Sequence, residues 1–190
     1  MADSKLPIVP FATSLLFNKW LRQNSEKCDG IWLRIYKKDS EKTSITHQEA
    51  LEEALCFGWI DGLKKSYDEN SWIQKFTPRR KRSIWSKRNT VIAERLIKDK
   101  RMKASGLKAI AEAKADGRWE QAYASSKEMK ISEEHLNQIK KNPKAYAFYK
   151  TLNKAQLYSI AFRLHAAKKE ETRAKRLNSF IAKLAKGQPI

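Results

Sequence analysis

Apolar residues recur at helical spacing from Ser14 to Asn24, where Leu16, Phe17, Trp20 and Leu21 share a face and Ser14 stands as the cap. The period then drops to two. Ile31, Leu33 and Ile35 alternate with Trp32, Arg34 and Tyr36, which predicts a strand with one buried face. Thr46 and Glu49 form a capping box for a helix through Ala50, Leu51, Ala54 and Leu55, and Gly58 is placed to end it. Trp59-Ile60-Asp61-Gly62 reads as a tight apolar turn. Leu63–Tyr67 and Trp72–Thr77 read as two strands joined across Asp68-Glu69-Asn70, and Pro78 stops the second because it cannot donate to a ladder. Helices follow over 86–100, burying Val91, Ile92 and Leu96, and over 105–115, ended by Asp116-Gly117.

Residues 118–131 are polar and weakly patterned and mark a boundary. Beyond it Ser132 caps a helix whose first turn holds Glu133 and Glu134, and Pro143 opens another at its first position. Leu157, Ile160 and Leu164 mark a third, and Leu177, Ile181 and Leu184 a fourth, closed by Gly187 and Pro189. The expected fold is α+β. Residues 1–125 form helices with a small antiparallel sheet of about three strands, and residues 130–190 form an all-helical module.

Charge sharpens this picture. The net charge is +19 over 190 residues, yet residues 1–63 carry 8 basic against 9 acidic side chains, a net of −1. Residues 64–119 carry +11 and residues 120–190 carry +9. An excess that begins just after Gly62 points to an anionic partner met by part of the molecule, nucleic acid being the first expectation. A Lys-rich solvated surface is the plainer alternative. Two cysteines and three histidines, with no zinc-like spacing, imply neither disulfide framework nor metal, and no cofactor motif is present. With no signal-peptide pattern and no apolar run of membrane length, a cytoplasmic protein without membrane insertion is expected.

Three stretches are candidates for chemistry. Arg79-Arg80-Lys81-Arg82 runs into Ser83-Ile84-Trp85-Ser86-Lys87-Arg88-Asn89. Cations at a helix start oppose the dipole, so an anion there would neutralise both. Backbone N–H groups with Ser83 and Ser86 suit a phosphate, Arg79 or Arg80 could grip it bidentately, and Trp85 could stack on a base, with Asn89 completing the set. The alternative is an ordinary cap, a core indole and a solvated basic loop. Cys56, Trp59 and Asp61 form a second cluster, readable as nucleophile and base or as inert core thiol and turn cap. With Arg79 they could line a pocket. Lys169, Arg173 and Arg176 make a second basic face on the last helix, either solvated or phosphate-contacting.

Several strings together resemble the YdeI/OmpD-associated family. They are Trp20-Leu21, Ile31-Trp32-Leu33 with Lys37-Lys38, the run Leu55 to Gly62, Phe76-Thr77-Pro78-Arg79-Arg80, Ser83-Ile84-Trp85-Ser86 with Asn89, and the run Ala113 to Trp119. Ala167-Lys168 with Glu171-Thr172-Arg173 and Arg176 resembles the family's C-terminal helical module. Lys100 departs from the pattern, which usually has glycine there, and only a local change at a helix end is expected. The resemblance implies a role in resistance to bacteriocins or cationic antimicrobial peptides and association with an outer-membrane porin, and brings no catalytic residues. A protein of +19 repels a cationic peptide, so any protection would be indirect. The first expectation is therefore a non-enzymatic binding protein. The alternatives are a small-ligand protein or enzyme around Cys56, Asp61 and Arg79, and a protein-interaction module in an envelope stress response.

Overall fold

A computed structural model describes residues 6–125 and 128–190. The order is β1 (Ile8–Pro10), α1 (Ser14–Asn24), β2 (Ile31–Tyr36), α2 (His47–Cys56), β3 (Trp59–Asp68), β4 (Ser71–Pro78), α3 (Lys87–Lys98), α4 (Ala104–Ala115), α5 (Glu133–Lys140), α6 (Pro143–Tyr149), α7 (Lys154–His165) and α8 (Glu170–Ala185). The chain divides into two compact units. One takes the described residues up to Ser83 with Asn89–Glu120, and the other takes Ile84–Arg88 with Gln121–Ile190.

The N-terminal unit is a mixed α+β fold on a four-stranded sheet of order β1-β2-β4-β3. The expected three antiparallel strands are β2, β4 and β3. The fourth, β1, runs parallel to β2, with Ile8 opposite Trp32 and Pro10 opposite Arg34. Three residues ending in proline carry too little alternation to be read as a strand. Trp59–Gly62 is not a turn. It opens β3, with Trp59 opposite Pro78 and Asp61 opposite Phe76. A register shift between Asp61 and Lys64 and another between Ser66 and Asp68 interrupt the alternation that sequence reading relies on. They also protect β3, whose ten residues form a long exposed edge; the lysines at 64 and 65 discourage strand addition there.

The register assigns each side chain to a face. Ile31, Leu33, Ile35, Trp72, Phe76 and Asp61 share the inner face, which α1 and α2 cover. Phe17 of α1 meets Phe76 edge-on at 5.9 Å, and Trp20 meets Trp59 at 5.9 Å. Phe17, Leu21, Leu33 and Phe76 are fully buried. Each stabilises the unit by about 1.5–3 kcal/mol relative to exposure. Thr13, rather than Ser14, caps α1 by accepting from Leu16 N–H, and Leu16 stays exposed. The capping box of α2 is present as expected, and the Thr46 backbone and hydroxyl bonds hold the Glu49 carboxyl below its usual pKa.

Helix α4 seats on the end of α2. Lys103 N–H donates to the Cys56 carbonyl at 2.9 Å, and Gly106 lies so close that a Cβ there would come within 2.3 Å of the same oxygen. The buried Glu53 carboxylate is satisfied by Asn18 Nδ2 at 2.6 Å and Arg101 at 2.7 Å. Glu52 pairs with Arg95 and Arg101. Burial alone would raise the Glu52 pKa, but the Gln48 and Arg95 hydrogen bonds and both guanidinium charges outweigh it and leave the carboxyl lowered. α3 ends at Lys98, two residues short of the expectation, and Lys100 takes a left-handed φ of 55°. The glycine-like position is thus a positive-φ helix exit filled by lysine.

The C-terminal unit is helical, as expected. Ser132, Asn142 and Asn153 cap α5, α6 and α7, with Pro143 in the first turn of α6. Ile139, Ala145, Leu152, Ile160, Leu164, Leu177, Phe180 and Leu184 form its core. Ile84–Arg88 joins it through backbone bonds: Tyr123 N–H donates to Trp85 O, and Lys87 N–H to Tyr123 O, both at 2.9 Å.

Candidate functional site

The basic stretch after β4 is an ordered turn. Arg79 N–H donates to Gly58 O, Ser83 Oγ accepts from Arg80 N–H at 3.1 Å, and Ser83 N–H donates back to Arg80 O at 2.8 Å. Arg118, almost wholly buried, donates to Ser83 O at 2.8 Å while Asp116 holds its Nε. This anchoring presents Arg80, Lys81 and Arg82 exposed, and among the described residues these three make no ion pair.

Other members of the expected anion set sit differently. Trp85 is 1% exposed, so its ring faces are not offered to solvent in this conformation. Ser86 is bridged to Tyr123, and the Lys87 N–H at the start of α3 is used by the Tyr123 carbonyl. Asn89 is buried. Arg79, Arg80, Ser83 and Asn89 belong to the N-terminal unit, whereas Trp85 and Ser86 belong to the C-terminal one.

Cys56, Trp59 and Asp61 do not converge. Asp61 Oδ2 lies 3.0 Å from His47 Nε2, at the first residue of α2, while Cys56 is its last. A rise of 1.5 Å per residue sets His47 and Cys56 about 13 Å apart along the axis. Burial pushes the Cys56 thiol up to about 11, assisted by the Glu53 charge, which is opposite to what a nucleophile needs. Trp59 is core, and its Nε1 donates to Ser25 O at 3.1 Å.

On α8, Arg173 donates to Ala167 O at 3.0 Å and pairs with Glu170, and Arg176 donates to Arg163 O at 2.6 Å. Arg176 therefore supplies a donor to a carbonyl in the last turn of α7, and Arg173 to one just beyond its end. Lys169 is exposed at the N-cap of α8. A cleft of about 340 Å³ in the same unit is lined by Lys130, Ser132, Glu134, His135, His165 and Arg173. Its groups are engaged locally: Ser132 Oγ lies 2.7 Å from His135 Nδ1, and His165 Nε2 lies 3.3 Å from Gln121 O.

Sequence reading missed two arrangements. The His47–Asp61 pair, a quarter exposed, has its imidazole near Trp72 and Phe76 at 6.0 and 6.3 Å. The outer face of the sheet, opposite α1 and α2, is an aromatic layer overlaid with cations. Lys65 Nζ stands 4.8 Å above the Trp32 ring and Lys75 Nζ 6.0 Å from it. The Arg34 guanidinium lies 4.7 Å from both the Tyr36 and Tyr67 rings. At the sheet edge Lys64 Nζ sits 4.0 Å from the Trp72 ring. The alternating basic and aromatic letters of β2 and β3 were the available signal.

Two family models match the chain. One, described as "Domain of unknown function (DUF8412)", spans residues 9–109. The other, described as "Bacteriocin-protection, YdeI or OmpD-Associated", spans residues 128–187. The resemblance to YdeI/OmpD-associated proteins therefore holds and is carried by the C-terminal residues, while the N-terminal residues match a model of their own. No curated protein and no solved structure matches the chain.

Proposed function

We propose that this chain, which belongs to the family described as "Domain of unknown function (DUF8412)" and ends in a YdeI/OmpD-associated module, is a non-enzymatic binding protein for a phosphate-bearing polymer, nucleic acid first. The observation that carries the reading is the Arg80-Lys81-Arg82 turn. Three like charges crowd one another, yet Ser83 and Arg118 hold the backbone that displays them. The mutual repulsion is relieved when phosphates enter and release counterions. With such a partner we propose a cytoplasmic location. Among the described residues no helix is long and apolar enough to cross a membrane. Any share in bacteriocin protection runs through such a partner rather than through capture of a cationic peptide, which the net charge of +19 opposes.

The test is binding of a labelled oligonucleotide across a salt series, with wild type beside the triple variant Arg80→Ala, Lys81→Ala, Arg82→Ala. Each lost phosphate contact reduces the slope of log K against log salt by about 0.7–0.9, so the triple variant loses about 2. An unchanged slope, or no wild-type binding at low salt, overturns the reading.

A further inference from the structure

We propose that the outer face of the sheet is a platform for single-stranded nucleic acid, on which Tyr67 stacks with a base while Lys65 meets a phosphate. The proposal rests on the phosphate-polymer reading above and adds strandedness and a second contact surface to it.

The face is built by register. Trp32 stands opposite Lys75, Arg34 opposite Ile73, and Ile73 opposite Lys65, so these side chains lie in adjoining rows on one side of the sheet. The helices α1 and α2 pack against the other side, as the Phe17–Phe76 and His47–Phe76 ring contacts show. Trp32 and Ile73 are buried, at 4% and 7% exposure, and the Lys65 side chain reaches over the Trp32 ring. The ammonium group of Lys65 is thereby held at a position set by the Trp32 ring. Ordering it against a phosphate costs less side-chain entropy than ordering a free lysine.

Tyr67 supplies the stacking surface. Arg34 braces one side of its ring and is itself fixed by Ser71 Oγ at 2.9 Å and by Asp68. Tyr67 is 47% exposed. A ring braced from within and open outward is preorganised to receive another planar group. Asp68, the carboxylate at this end of the face, is already neutralised by Arg34, and the Ser71 hydroxyl bond and the Arg34 charge keep its pKa low. The exposed Lys65 ammonium adds a positive charge that matches a polyanion. Single strands are favoured over duplex because a base reaches Tyr67 only when unstacked and unpaired. A purely acidic protein segment would satisfy Lys65 but leave the stacking surface unused.

The experiment measures fluorescence anisotropy of a labelled oligo(dT) of about 20 nucleotides and of a hairpin duplex with the same number of phosphates, with polyglutamate as competitor. The full chain is compared with Tyr67→Ala, Tyr67→Phe and Lys65→Ala, each checked for wild-type circular dichroism. Base–aromatic stacking predicts that Tyr67→Ala weakens oligo(dT) binding about tenfold and leaves the hairpin within about twofold. Tyr67→Phe keeps the ring and retains wild-type affinity within about twofold. Lys65→Ala lowers the oligo(dT) salt slope by about 0.7, and this arm decides the matter should Tyr67→Ala not fold. Equal effects on both polymers, no effect of either substitution, or polyglutamate competing as well as unlabelled oligo(dT) overturns the platform. Wild-type binding that responds only to the Arg80–Arg82 substitutions overturns the platform and leaves the phosphate-polymer reading standing. Absence of binding to either polymer at low salt overturns both.

Discussion

Gly106→Ala sets helix propensity against packing, and the structure says which wins. Alanine inside a helix is favoured over glycine by about 1 kcal/mol, and α4 would gain that. Its Cβ, however, would lie 2.3 Å from the Cys56 carbonyl oxygen and 2.7 Å from Met102 Cε. The methionine end can swing aside; the backbone oxygen at the end of α2 cannot. Relief requires α4 to retreat by about 1 Å, an overpacking cost of about 1–3 kcal/mol. The retreat also stretches the 2.9 Å bond from Lys103 N–H to that same oxygen, worth about 1 kcal/mol. The net expectation is a loss of about 2 kcal/mol. For a chain of this size that lowers the melting temperature of the N-terminal unit by about 4–8 °C. Cys56 lies directly under the contact, so its alkylation in the native state should accelerate by about 30-fold. Gly62→Ala is the control, since its nearest neighbour is 3.8 Å away and its φ is not positive; it should stay within about 0.5–1 kcal/mol of wild type. A Gly106→Ala protein that melts at or above wild type, with Cys56 equally protected, would refute the seating of α4 on α2.

Two further outcomes follow from single residues. Lys100, at φ 55°, bears a left-handed penalty of about 1–2 kcal/mol, partly offset by the unfolded-state freedom that glycine would add. Lys100→Gly should therefore stabilise by about 0.5 kcal/mol while Lys100→Ala does not, as urea midpoints would show; equal midpoints for the two variants contradict it. Burial raises the Cys56 thiol from 9.0 to about 11. The folded state keeps a proton that the unfolded chain releases, so this stabilisation is complete below about pH 9 and disappears as pH rises through about 11. Cys56→Ala should flatten that alkaline decline relative to wild type in urea midpoints taken between pH 9 and 11, and parallel curves would contradict it.

What the sequence made legible was local. Thr46 with Glu49, Pro143 at a first helical position, and Ser132 before two glutamates are signals of one to four residues, and each helix they mark is present. The pairing of β1 was illegible because a parallel partner lies 24 residues away, at Ile8 and Trp32, with no turn to announce it. Trp59-Ile60-Asp61 read as a turn because the strand it opens is interrupted by a register shift that breaks alternation. For the candidate surfaces the same division holds. The Arg79–Arg82 run was visible as contiguous charge. The Lys65–Trp32 contact, the Arg34 sandwich and the His47–Asp61 pair join residues from different elements, and no spacing rule on one strand reveals which lysine lies over which ring.

The net charge of +19 overstates what is available to a partner, and the arginines show why. Arg34 is held by Asp68 and two tyrosines, Arg95 and Arg101 by Glu52, Arg118 by Asp116 and Ser83 O, and Arg173 and Arg176 by carbonyls near the end of α7. A planar guanidinium with five donors suits such internal tasks, and these side chains hold the fold together. Arg80 and Arg82 depart from that use: both are exposed on an anchored turn with Lys81 between them, and among the described residues none of the three meets a carboxylate. Lys65 on the outer sheet face is positioned in a different way, over the Trp32 ring. Bulk charge would give weak binding spread over the surface. On the proposed reading, cations separated from the structural arginines and gathered on one turn and one sheet face would give a salt slope that a few substitutions measurably lower.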